Sequence, residues 1–332
     1  MKIGIIGGYG HFCVRNYPGA EFAFACDGYD DAATARAATL DCRRVYASMD
    51  DLLHDFQPDL VYIGTVYARN GALAVRALEA GFDVVSEKPI AGDWPTWHRL
   101  RELTAPGKRR IIAELTMRWN PAFRKTRELI RSGAIGEPTH IRAKKSYRFG
   151  NKRPDFYRKR ELFGGIIPWV AIHAIDYAAW CTGLHYEAAT ATHGNRRFSD
   201  YPEMEDHAAL FFRMSGGVPC IMTADFLRPD NASTHGDDRL QITGTEGLLE
   251  IRRGELLEIS RDGEKTWTFA DEPNLGVTLS KDLVAAALGD TTTPLSTADS
   301  LHANAAALAA RESADTEGNP WQPINVSGQT QK

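Results

Sequence analysis

Over its first 118 residues or so the chain alternates short apolar runs with amphipathic ones. KIGIIG, FAFACD, VYIGTV and FDVVSEKP are rich in Ile, Val and Phe, and stretches such as NGALAVRALEAG between them carry apolar residues at helical spacing. Strands that are apolar throughout are buried on both faces. That requires helices on either side, and predicts a parallel, doubly wound sheet with its ligand crevice at the strands' carboxyl ends.

Near Asn120 the pattern changes. Asn120 reads as an N-cap, Pro121 as the first helical residue, and Gly133 lies just past FRKTRELIRS. Beyond this helix, THIRAKKSYRF, HAALFFRM, PCIMTADFL, RLQITG and GLLEIRRGELLEIS alternate like antiparallel strands with glycine turns. Two Ala-rich helical segments then follow Ser280 and Ala298. The expected organisation is an α/β domain over 1–118 and an α+β domain with a largely antiparallel sheet over 119–332. No internal repeat is visible, and the polar tail after Ser327 reads as disordered.

Composition narrows the function classes. A length of 332 residues suits two domains, and 43% hydrophobic with 25% charged residues is ordinary for globular proteins. Net charge is −4, which provides no overall attraction to nucleic acid or anionic membrane. The basic, aromatic segment 144–161 is too local to change this, and no nucleic-acid motif accompanies it. Five scattered cysteines without a CxxC pair give neither a disulfide framework nor a zinc knuckle. The most apolar window, Ile166 to Cys181, is short and interrupted by His173 and Asp176. With a first strand starting at residue 2, a cytoplasmic protein is expected. The ten histidines show no HExxH, so no metal site is expected.

Gly7, Gly8 and Gly10 follow the first strand directly, where a dinucleotide-binding domain of Rossmann type has its phosphate turn. Counted from Gly7, the later fingerprint positions fall on Tyr9 and Phe12; counted from Gly8, they fall on Gly10 and Cys13. The second register keeps a bare backbone at the pyrophosphate and is preferred. Asp27 ends the FAFAC strand about 20 residues later, where a carboxylate accepts from ribose hydroxyls and repels a 2′-phosphate, so NAD is expected rather than NADP. A plain tight turn and a solvated strand end fit the same residues.

SEKPIAG, at 86 to 92, brings in a resemblance. With MRWNPAFRKTRELIRSGAIGEP, GGIIPWVAIHAID (164–176) and DDRLQITGTEGLLEI (237–251), it resembles the Gfo/Idh/MocA oxidoreductases along nearly the whole chain. The resemblance implies NAD or NADP in the first domain, a sugar or cyclitol as substrate, and a homodimer or homotetramer. Lys88 matches the family lysine that approaches the reacting oxygen. His173 matches the histidine of a GGxxxDxxxH-like pattern whose Asp position is here Trp169. YARN, at 67 to 70, departs from the family's usual loop.

The expected cofactor residues are Gly7, Gly8, Tyr9, Gly10, His11, Asp27, Thr65, Glu87 and Lys88. The expected substrate residues are Arg118, Tyr147, Tyr157, Arg158, Trp169 and His173. On composition alone Lys88 is a solvated lysine and His173 a core histidine; the resemblance implies an oxyanion partner and an acid/base. Asp176 shares a helical face with Trp169 and His173 and reads as structural. Two other readings fit these residues: a non-catalytic nucleotide- or sugar-binding protein, and a redox-neutral lyase or glycosidase that uses bound NAD.

Overall fold

The computed structural model describes residues 1–26, 33–151 and 153–324. The chain folds as two compact units, and neither is continuous in sequence. The first comprises Met1–Leu115 with Glu272–Asn304, and the second Thr116–Asp271 with Ala305–Lys332. The boundary read at 118 lies close to the first crossing, but 272–304, assigned from sequence to the second domain, packs with the first.

In the first unit six described strands form a parallel sheet in the order β3-β2-β1-β4-β5-β6. They are β1 (Lys2–Ile6), β2 (Glu21–Ala25), β3 (Arg44–Tyr46), β4 (Leu60–Ile63), β5 (Val84–Ser86) and β6 (Ile111–Ala113). β4, β5 and β6 are buried at every residue, as their apolar runs require. The order reverses direction at β1 and β4, the topological switch point where doubly wound sheets bind ligands.

The crossover from β1 to β2 holds only one short 3₁₀ turn, Cys13–Asn16, among its described elements. The helix Leu275–Ala287 packs against that turn, with Ser280 Oγ donating to the Val14 carbonyl at 3.0 Å. A second returning helix, Thr297–Asp315, closes the β6 edge. Thr297 Oγ1 accepts from Ile111 N at 3.3 Å, and Ser300 Oγ accepts from Ala113 N at 3.0 Å. An edge strand that would otherwise present unpaired donors is thereby covered. Asn304 then bonds both backbone groups of Ala91, and Trp97 Nε1 donates to the Leu301 carbonyl.

In the second unit nine described strands form a sheet in the order β14-β13-β12-β11-β7-β10-β9-β8-β15. Its strands are β7 (Pro138–Tyr147), β8 (Tyr186–Gly194), β9 (His207–Met214), β10 (Pro219–Asp225), β11 (Gly236–Gly244), β12 (Leu248–Arg252), β13 (Glu255–Ser260), β14 (Gly263–Trp267) and β15 (Gln322–Pro323). Among these described strands only β7 and β10 pair in parallel, so the sheet is largely antiparallel, as read from the sequence. On β9 every second residue is buried, the pattern of a strand with one face on the core.

The helix Pro121–Arg131 begins as expected, with Asn120 Oδ1 accepting from Ala122 N at 3.0 Å. The stretch Arg160–Thr182 is apolar enough to cross a membrane by composition, yet 89% of its apolar window is buried inside the protein, as in a core helix. All five cysteines are free thiols.

Candidate active site

The turn after β1 is shaped by two glycines with different duties. Gly7 has φ +85°, and a Cβ on it would lie 2.7 Å from the Gly64 carbonyl oxygen. The left-handed residue that starts the turn is therefore Gly7, one position earlier than the register preferred from sequence, because the chain passes against β4 there. Gly10 has ordinary φ but no room: a Cβ would sit 2.7 Å from Tyr62 Oη and 3.0 Å from Glu87 Cγ. Phe12, the third fingerprint position counted from Gly7, takes φ +52° and is buried. Because only the 3₁₀ turn follows, the loop is braced by side chains instead of a long helix.

The braces are two carboxylates from the ends of β5 and β6. Glu87 Oε1 accepts from His11 N at 2.9 Å and contacts His11 Nδ1 closely; Glu87 Oε2 accepts from Lys88 N at 3.0 Å and lies 3.8 Å from Lys88 Nζ. Glu114 accepts from Cys13 N at 2.8 Å and from Tyr62 Oη at 2.9 Å, and Tyr62 Oη in turn accepts from Phe12 N at 3.1 Å. Burial alone would raise both acids. For Glu87 the charges of His11 and Lys88 and their hydrogen bonds outweigh it and hold the group at about 2. For Glu114 burial prevails, reinforced by the Glu87 charge, and the carboxyl rises to about 7. The Glu87 charge also raises His11 above the ordinary imidazole value.

His11, Glu87 and Glu114 are a group with metal-ligating chemistry, their donor atoms within 4.8 Å of one another, but both carboxylates are already engaged by protein donors. Thr65, at the carboxyl end of β4, is fully buried, and its Oγ1 has no hydrogen-bond partner among the described residues. That orphaned hydroxyl and the side-chain-free backbone of the glycine turn fit a nucleotide's polar groups. Asp27 lies outside the described residues.

In the second unit His173 and Trp169 are buried, at 4% and 6% exposure. The helix expected to start after Pro168 begins instead at Ile167 with a π-helical turn to Ala171, then continues as α-helix Ile172–Thr182. Asp176 takes a structural role. It receives Arg118 in a forked pair, Nη2 to Oδ1 at 2.6 Å and Nε to both oxygens at 3.1 Å, with both side chains buried.

Tyr157 is fully buried and stacks on Phe163 at 4.7 Å, so its ring fills the core and presents no surface to a substrate. Arg158 is a surface residue, paired with Asp155, the Asp200 carbonyl and the Tyr201 ring. Tyr147 is half-buried, with the Lys145 ammonium 4.7 Å from its ring centroid and the His235 ring 5.0 Å away. Lys145 pairs with Asp238 at 2.5 Å. Burial pushes Lys145 down, but Tyr147 and Asp238 outweigh it and keep the ammonium above its ordinary value. Sequence reasoning does not single out Glu114, since a lone acid after an apolar run carries no spacing signature.

Comparison with known proteins matches this arrangement at both ends. The oxidoreductase-family model described as an NAD-binding Rossmann fold covers residues 1–114, and the Gfo/Idh/MocA C-terminal domain covers 123–250. The chain belongs to the Gfo/Idh/MocA oxidoreductase family. Residues 1–114 match that family's NAD-binding domain, and the protein is an enzyme of the dehydrogenase type.

Among Gfo/Idh/MocA relatives, the D-apiose dehydrogenase of Paraburkholderia graminis is 26% identical over 265 residues, 78% of this chain and 68% of its own. A Thermotoga maritima chain assigned as an oxidoreductase is 30% identical with a TM-score of 0.89, covering 98% of this chain and 100% of its own. A levoglucosan dehydrogenase solved with NADH has a TM-score of 0.80 over 98% of this chain and 99% of its own. At 19% identity it shows the fold alone.

Proposed function

We propose that the protein oxidises a secondary alcohol of a sugar, sugar acid or cyclitol. NAD, when bound, accepts the hydride. The reaction also requires the hydroxyl proton to leave. His173 takes that proton, and Lys88 donates a hydrogen bond to the same oxygen and stabilises the negative charge that develops on it. Trp169 replaces the family carboxylate with an indole, which supplies an apolar face and one N–H donor but no base, so His173 acts without that partner.

The observation that carries this reading is Lys88. Its side chain is 1% exposed at the carboxyl end of β5, with the Glu87 carboxylate 3.8 Å away. Lysines are rarely buried to this degree, and a buried lysine beside a held carboxylate is the kind of group that active sites retain. The substrate class is supported by the relatives named for D-apiose and levoglucosan, both polyhydroxylated compounds.

The test combines a substrate panel with two variants. D-apiose, levoglucosan, inositol and related sugar acids are offered with NAD and with NADP, and NADH affinity is followed by energy transfer from tryptophan. Lys88→Ala and His173→Asn should each lower turnover by about a hundredfold or more while NADH affinity stays within about threefold. Undiminished turnover in either variant would sink that residue's role.

A further inference from the structure

We propose that Glu205 is a positioning residue for His173, acting through the Gly164–Gly165 turn; its catalytic consequence rests on the acid/base role proposed above. Gly164 and Gly165 take φ +83° and +104° and lead directly into the π-helical turn that carries Trp169 and delivers His173. A helix start has free backbone donors, and here one of them is capped from another element. Glu205 Oε2 accepts from Ile166 N at 3.1 Å in a buried setting, while Trp169 N donates to the Gly165 carbonyl at 3.2 Å.

The carboxylate is itself held on several sides. Arg160 contacts Glu205 Oε1 closely and pairs with Asp315 at 3.1 Å. His193 lies between the same two acids, Nε2 at 3.2 Å from Asp315 and Nδ1 at 3.8 Å from Glu205. Arg311 reaches Asp315 at 3.8 Å and donates to the Gly164 carbonyl at 3.4 Å. The Arg160 guanidinium packs over Gly165, where a Cβ would come within 3.2 Å of it.

The main chain around Glu205 is fixed as well. Asp206 Oδ2 accepts from Arg196 N and Arg197 N at 3.0 and 2.7 Å, and Glu203 pairs with Lys159 at 2.9 Å. Four separate segments of the second unit therefore converge on one glycine turn. That is more bracing than a surface turn needs, and it bears on the helix start that sets where His173 lies.

The experiment uses the full-length protein and reads the His173 imidazole directly by NMR titration, alongside turnover on the panel compound oxidised fastest. Glu205→Ala removes the acceptor for Ile166 N; Glu205→Gln keeps a carbonyl there. The alanine variant should displace the His173 midpoint by about half a pH unit or more and lower kcat by about tenfold at unchanged KM for NAD, and the glutamine variant should restore both to near the parent. If the alanine variant does not fold, Glu205→Asp, one methylene shorter, should show the same displacement.

An unchanged His173 midpoint in a folded alanine or aspartate variant would overturn the proposal. Should His173→Asn retain turnover, the acid/base reading fails, and the NMR titration still decides whether Glu205 positions the ring.

Discussion

Replacing Glu114 by Gln should leave stability nearly unchanged at acid pH and raise it at neutral and alkaline pH. Burial, with the Glu87 charge, raises Glu114 from an ordinary 4.5 to about 7. A carboxyl with a raised folded pKa holds its proton more tightly in the folded chain, so stability is lost as pH rises from about 4.5 to about 7 and stays lost above. At about 1.4 kcal/mol per pH unit, the interval corresponds to about 3 kcal/mol. Gln carries no charge and, like the protonated carboxyl that folded Glu114 carries below about 7, offers one carbonyl acceptor and one donor group, so it stands in for the neutral acid at no large cost in hydrogen bonds.

The variant should therefore be level with the parent at pH 4, about 1 kcal/mol more stable at pH 5, and about 3 kcal/mol more stable at pH 8. Urea unfolding at those three pH values, followed by tryptophan fluorescence, measures the differences. Glu87, depressed to about 2, contributes with the opposite sign: its stabilisation is present above about 4.5 and lost as pH falls towards 2. It is common to both proteins and cancels. Parallel pH profiles would refute the reasoning, since they would mean that Glu114 ionises as readily folded as unfolded.

Two further substitutions probe the braces described above. Gly10→Ala should destabilise the protein by about 1–3 kcal/mol and weaken NADH binding, because the new methyl meets Tyr62 Oη and Glu87 Cγ within 3.0 Å; unchanged melting and affinity would contradict this. Arg118→Ala strands the buried Asp176 carboxylate and should cost about 3–5 kcal/mol in chemical denaturation, whereas a loss under about 1 kcal/mol would show that water reaches the site.

The architecture is legible where periodicity is strong. KIGII and HAALFFRM announce their strands, and Asn120-Pro121 its helix. β8, with its Ala- and Thr-rich YEAATATHG, and the three-residue β3 and β6 are not, because so few β-forming side chains stand in each. The return of 272–304 to the first unit has no local signal, since it is written in contacts such as Ser280 to Val14.

In the site, Lys88 and His173 are singled out by extended motifs. Glu114 and Glu205 are single acids whose roles exist only once strands far apart in sequence are brought together. Tyr157 and Arg118 show what a sequence leaves open: an aromatic and a cation near a substrate loop look alike whether they face a ligand or, as in this structure, stack on Phe163 and pair with Asp176.

The covered edge of β6 also bears on how the chain is made. A ribosome that has released the first 118 residues has supplied the six described strands of the parallel sheet but neither Thr297 nor Ser300, the acceptors for Ile111 N and Ala113 N. At about 5–20 residues per second, the roughly 180 residues still to come take on the order of ten to forty seconds. For that time the nascent sheet keeps an open edge, the kind of surface that recruits chaperones or pairs wrongly with a neighbouring chain. A gene truncated after the dinucleotide-binding segment would make that exposure permanent, and one that also supplied 272–304 would restore the two acceptors.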